Sequence, residues 1–255
     1  MDSRRQMTIG RKRRHYKWHT ILIILISGCL LGNTANAADP RMARNWVKNV
    51  ERSERLPFDG MRMVKSNGGN IYMISDNGKY VFEGKLIDTW NQIVVTDFDD
   101  LRESMKLNFK NLGLDIGQLF TIQIGHGLME VNVFIDFVCS NCTSLLKHIQ
   151  QSNTKEKYTY NVIIIPLLGG RSNESVQKLV CATPVDQVLN KLVTKSFLRD
   201  PVATKCPELE RPGKGLVTAK MFGVTGVPFT IAPNGEVVRG FNPTSYDKQI
   251  AEKLI

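Results

Sequence analysis

An apolar run, Val131-Asn132-Val133-Phe134-Ile135-Asp136-Phe137, leads straight into Cys139-Ser140-Asn141-Cys142, and Thr143-Ser144-Leu145-Leu146-Lys147-His148-Ile149 follows with helical character. A Cys-x-x-Cys segment at such a strand-to-helix junction puts the first sulfur at a helix N-terminus, where unpaired N–H groups and the helix dipole favour an anion. That placement lowers a cysteine pKa from about 8.5 toward 7 or below. Cys139 is therefore the candidate nucleophile. Cys142, one helical turn further on and expected to be more buried, is the candidate resolving thiol. The same residues also suit an inert disulfide or half of a zinc site. Zinc needs four ligands, and besides Cys181 and Cys206 the chain beyond residue 37 offers only His126 and His148, neither at a matching spacing, so no metal and no cofactor are expected.

The N-terminus decides which compartment those sulfurs meet. Arg4, Arg5, Arg11, Lys12, Arg13, Arg14 and Lys17 precede an apolar run from Ile21 to Leu31, and Ala35-Asn36-Ala37 follows. This is the order of a cleavable secretory signal over residues 1–37. Eleven apolar residues are too few to span a bilayer, although retention as an anchor is an alternative. Ile26-Ser27-Gly28-Cys29 also resembles a lipoprotein cleavage box, with Cys29 as the lipidated residue. The formal charge of +10 includes +6 from the signal, and the remaining +4 is no nucleic-acid signature. Without Cys29, four cysteines remain in an exported chain, an even number that suggests two pairs in an oxidising compartment.

Met42, Trp46, Val47 and Val50 recur at helical spacing and predict an amphipathic helix from Pro40 to Arg55, ended by Leu56-Pro57. Residues 70–75 and 79–83 flank Asp76-Asn77-Gly78, a hairpin signal. From the candidate N-cap Asp97, residues Phe98, Leu101, Met105, Phe109 and Leu112 predict a linker helix that stops at Gly113. A unit of about 60 residues is thin for a core of its own, so it is expected to pair with a second copy or dock on the main domain. Beyond Ile122 the pattern becomes strand, helix, strand, with Val162-Ile163-Ile164-Ile165 as a strand buried on both faces. Glu174 to Phe222 reads as a helical insertion interrupted by Pro201, Pro207, Pro212 and Gly213-Lys214-Gly215. A second hairpin turns at Pro233-Asn234-Gly235, and a final helix covers about Ser245 to Leu254.

These segments carry a resemblance. Ile71-Tyr72-Met73-Ile74-Ser75-Asp76-Asn77-Gly78-Lys79 through Glu83-Gly84, Phe134 through Cys142, Val180-Cys181-Ala182 and Phe222-Gly223-Val224-Thr225-Gly226-Val227-Pro228 resemble the DsbC/DsbG family of periplasmic disulfide isomerases. The resemblance implies an α+β N-terminal dimerisation domain over 38–96, a linker helix and connector over 97–121, and an α/β thioredoxin-fold catalytic domain with a helical insertion over 122–255. It implies a homodimer in the periplasm, acting on disulfide-containing client proteins and served by a DsbD-like membrane reductant. It implies a redox-active disulfide between Cys139 and Cys142 and a structural disulfide between Cys181 and Cys206, which loop-closure entropy puts at about 3.5 kcal/mol. It further implies a cis Val227–Pro228 bond facing the sulfurs and holding client backbone, where the alternative is an ordinary trans proline opening an edge strand. Asp136, three residues before the nucleophile, is a candidate for tuning its pKa or simply for satisfying hydrogen bonds near the helix start.

The chain departs from the family in two places. Ser140-Asn141 stands where DsbC-like isomerases carry Gly-Tyr and DsbA-like oxidases Pro-His, and Val227 stands where DsbC-like proteins usually carry Thr. Both positions border the sulfurs that set the redox potential. Net thiol oxidase or reductase activity, and a chaperone or accessory role in a secretion or conjugative transfer system, are therefore the alternatives to isomerisation.

Overall fold

The computed structural model describes residues 49–183, 185–202 and 206–252. The signal segment and the first part of the helix read from Pro40 lie outside the described residues. From Val50 that helix reading fails, because the chain is a strand, β1 (Val50–Arg55), antiparallel to β2 (Met61–Ser66). Partners on β2 and on the helix that begins at Phe98 override the helical spacing. Lys65 reaches Glu51 at 2.9 Å, Arg62 donates to Ser53 Oγ at 2.9 Å, and the Arg52 guanidinium lies 4.3 Å from the centre of the Phe98 ring.

β3 (Ile71–Ser75) and β4 (Val81–Phe82) complete a four-stranded antiparallel sheet in the order β1-β2-β3-β4. The hairpin between them turns at Gly78, whose φ of +69° is the left-handed conformation that glycine adopts without strain. β5 (Leu86–Asp88) and β6 (Ile93–Val95) form a separate ribbon. Helix α1 (Phe98–Ser104) follows, and Asp97 caps it by accepting from the N–H groups of Asp99 and Asp100. The core of this unit is small, with Leu56, Met63, Val95, Phe98 and Leu101 buried.

The linker helix is shorter than its apolar spacing predicts and ends at Ser104 rather than near Gly113. The spacing spans two cores. Phe98 and Leu101 belong to the N-terminal core, whereas Phe109 stacks on Phe134 and meets Phe222 edge-on at 4.9 Å in the C-terminal one. Between them the backbone leaves the helix. Leu107 N–H donates to Gly235 O at 2.8 Å, and the Asn91 side-chain amide donates to Lys106 O at 3.2 Å. Trp90 packs against Phe222 from the same side, with ring centroids 6.3 Å apart.

The C-terminal part is built on a five-stranded mixed sheet of β7 (Thr121–Ile124), β8 (Met129–Ile135), β9 (Tyr158–Ile164), β10 (Phe229–Ile231) and β11 (Val237–Arg239), in the order β11-β10-β8-β9-β7. β8 and β9 are parallel, so a crossover must join them, and helix α2 (Ser140–Gln151) supplies it. Strand periodicity divides the side chains between two cores. Val131, Val133, Ile135, Val162 and Ile164 face α2, α3 (Gly170–Ala182), α4 (Val185–Thr194) and the C-terminal α6 (Tyr246–Glu252), while Phe134, Ile163, Ile165, Phe229 and Ile231 face the connector and α5 (Glu210–Met221). This explains the unbroken apolar run Val162 to Ile165. Covered helices on both faces of a central mixed sheet, with the helical segment inserted before β10, make this a thioredoxin-like α/β domain.

The insertion differs from its sequence reading in one place. Pro212, Gly213 and Gly215 do not interrupt a helix but lie inside α5. Pro212 occupies the first turn, where backbone N–H groups have no helical partner to lose. At Gly215 the helix lies so close to the sheet that a Cβ would sit 3.0 Å from Ile165 Cγ2. Cys181, on α3, is disulfide-bonded to Cys206 across 25 residues of sequence.

Candidate functional site

The site lies at the carboxyl end of the central strand β8, where the chain turns into α2. Asp136 O accepts the Cys139 N–H at 3.2 Å, which closes the turn. Cys139 then takes the N-cap position with extended backbone angles (φ −78°, ψ 119°). Its sulfur accepts the Cys142 N–H at 3.2 Å, the role a serine or aspartate oxygen plays at other helix starts. Cys142 faces inward from the first turn and is 1% exposed, packed among the residues of the core, whereas Cys139 is half-buried.

The two sulfurs are chemically unequal. A hydrogen bond from the Cys142 thiol, followed by the backbone N–H groups of Cys142 and Asn141, brings the Cys139 pKa down from 9.0 to about 6, against the opposing effects of burial and the Asp136 charge. At pH 7 such a group is roughly 90% thiolate, against about 1% for a thiol with pKa 9. Burial, then the hydrogen bond to Cys139, pushes the Cys142 thiol strongly upward. The arrangement thus holds one accessible sulfur ready to ionise and one enclosed sulfur that keeps its proton.

Val227–Pro228 is a cis peptide, and Val227 O lies 3.5 Å from Cys139 Sγ. The loop before β10, 88 residues away in sequence, is therefore brought against the nucleophile candidate. Asp136 is fully buried (0% exposed) directly beneath this turn. Its Oδ1 accepts the Val138 N–H at 3.0 Å, and its Oδ2 accepts the Leu168 N–H at 2.9 Å and the Ser172 hydroxyl at 2.6 Å. The sequence reading gave Asp136 no partners and missed Leu168 and Ser172. Their separations of 32 and 36 residues leave no local signal, though a buried acid beside a motif does ask for such donors.

The remaining sequence candidates lie apart from the sulfurs. His148, on α2, pairs through Nε2 with Asp247 Oδ1 at 3.0 Å, and His126 N–H donates to Lys155 O at 3.0 Å in the β7–β8 loop. A groove of about 1500 Å³ runs along the connector and β7, and neither cysteine borders it. Among the described residues no helix is long and apolar enough to cross a membrane.

Known proteins resemble the chain in its N-terminal unit and over most of its length. Residues 46–97 match the family described as disulfide bond isomerase protein N-terminal domain. The thiol:disulfide interchange protein DsbC of Haemophilus influenzae is 25% identical over 219 residues, covering 84% of this chain and 90% of that protein. DsbC of Escherichia coli is 21% identical over 234 residues, covering 91% and 93% respectively. Among solved structures, a disulfide interchange protein from Neisseria gonorrhoeae aligns with a TM-score of 0.45 at 19% identity, over 55% of this chain and 98% of that one. An N-terminal unit of this kind, followed by a thioredoxin-like domain carrying a Cys-x-x-Cys at the start of α2, defines an enzyme of thiol–disulfide exchange. Within that class the chain is similar, over 84–91% of its length, to the DsbC thiol:disulfide interchange proteins.

Proposed function

We propose that the chain is a periplasmic disulfide isomerase in which Cys139 attacks and Cys142 resolves. The observation that carries this reading is the inequality of the two sulfurs, one accessible with its pKa lowered to about 6 and the other buried and held protonated. The Cys139 thiolate attacks one sulfur of a wrong disulfide in a client. A Cys139–client bond forms, the client S–S bond breaks, and the leaving sulfur carries away the electron pair as a thiolate. If that thiolate or another client thiol attacks the mixed disulfide, the client is reshuffled with no net redox change. If Cys142 attacks instead, its proton passes to solvent, the Cys139–Cys142 disulfide forms and the client departs reduced. The enzyme then needs two electrons from a dithiol reductant, a part suited to a DsbD-like membrane protein.

Val227 and Pro228 border the attacked position and hold client backbone there, and the Cys181–Cys206 bond fastens the insertion. Residues 38–96 act as the dimerisation domain, 97–121 as the connector and 122–255 as the catalytic domain. The N-terminal unit supports the dimer in two ways. Its short edge strand β4 exposes Phe82 at 54%, with Tyr80 and Val81 beside it. On the separate ribbon, Ile87 and Val94 face each other across the strands at 56% and 45% exposure. A small core with exposed apolar residues and an open sheet edge is suited to pairing with a second copy.

Net oxidation is the second reading. A strongly stabilised thiolate favours the reduced enzyme and makes its disulfide oxidising, and Ser140-Asn141 and Val227 depart from the isomerase pattern in the same region. The two readings separate in one assay. The mature chain, checked by sedimentation to be a dimer, is given a scrambled disulfide protein with only catalytic reductant. Recovery of native client supports isomerisation. A monomer that oxidises reduced clients but leaves scrambled ones unchanged contradicts it.

A further inference from the structure

We infer that Leu168 is a specificity-determining contact of the exchange reaction, held beside the Cys139 turn by Asp136 and Ser172 and taking the apolar side chain next to the client's cysteine. The inference rests on Cys139 as the nucleophile. One carboxylate ties two segments together: Asp136 accepts from Val138 N–H, the residue before Cys139, and from Leu168 N–H and the Ser172 hydroxyl, with Asp136 and Ser172 both fully buried. The backbone of Leu168 is thereby fixed within hydrogen-bonding reach of the same side chain that fixes the turn into Cys139.

The Leu168 side chain nevertheless faces outward and is 52% exposed, while its neighbour Leu167 packs against the core. Gly169 and Gly170 follow, so no side chain screens that flank, and a Cβ at either would meet nothing within 4 Å. An anchored backbone under an exposed leucine, tied through Asp136 to the turn into Cys139, costs a client little ordering, so burying apolar surface there converts efficiently into affinity. Val138, half-buried and next to Cys139 in the chain, is bound by the other oxygen of the same carboxylate. Ser172 touches neither client nor sulfur and is a positioning residue.

The test uses the mature chain and two synthetic peptides, each with one cysteine in mixed disulfide with glutathione and differing only in Leu or Ser beside that cysteine. The wild-type chain is expected to exchange with the Leu peptide about fivefold faster at subsaturating concentration. Leu168→Ser is expected to bring the ratio close to one, and Leu168→Ile to preserve it. Ser172→Ala is expected to lower the ratio through a weaker concentration dependence for the Leu peptide, which a loss of overall stability alone does not produce. A Leu168→Ser chain that keeps the wild-type ratio, or a wild-type chain with no preference, overturns the inference. A wild-type chain inert toward both peptides overturns the nucleophile reading as well.

Discussion

A Cys139→Ser chain is expected to keep its fold and to exchange disulfides no faster than the uncatalysed reaction, a loss of several orders of magnitude. Both halves follow from the N-cap. In the native chain Cys139 Sγ accepts the Cys142 N–H at 3.2 Å, and a serine oxygen is among the best acceptors for that position, so the start of α2 is kept. What disappears is the thiolate. A hydroxyl neither ionises near neutral pH nor forms a disulfide, and Cys142 is too enclosed, at 1% exposure, to take over. Circular dichroism together with turnover of a mixed-disulfide peptide checks both statements. Native-like turnover by Cys139→Ser contradicts the assignment.

Asp136→Ala is expected to be the most destabilising change near the site, costing about 4 kcal/mol. It leaves the Val138 N–H, the Leu168 N–H and the Ser172 hydroxyl without their acceptor, and an unsatisfied buried donor costs about 1–3 kcal/mol. Asp136→Asn should cost less, since its carbonyl oxygen still accepts. Both variants also remove a charge that opposes the Cys139 thiolate, so the Cys139 pKa should fall further in each. Urea unfolding of the reduced chain gives the first quantity and thiol titration of the Asn variant the second. An Asp136→Ala chain within about 1 kcal/mol of wild type, the low end of the cost of leaving a single buried donor unsatisfied, contradicts the clamp.

Local chemistry was legible in the sequence wherever the partners are near in the chain. The Cys139 turn, the Asp97 cap, the hairpins at Gly78 and Pro233-Asn234-Gly235, and the doubly buried strand around Val162 to Ile165 each carry their signal within about ten residues. What escaped depends on distant partners. β1 looks helical until β2 is known to lie beside it, with Lys65 reaching across to Glu51. The apolar spacing of Phe98 to Leu112 is continuous in sequence, but Phe109 belongs to Phe134 and Phe222, so the helix ends where the chain passes between cores. Pro212 and Gly215 read as breakers, although a first-turn proline and a glycine pressed on Ile165 are both compatible with α5. At the site, the same limit hid Leu168 and Ser172.

The division of labour between the two sulfurs is tested most directly by site-resolved alkylation of the reduced mature chain across pH, read by mass spectrometry. Cys139 should be modified with a midpoint near about 6 and reach its plateau by neutral pH, while Cys142 remains unmodified throughout. Two thiols that titrate together near pH 9, or a Cys142 that reacts first, would contradict it.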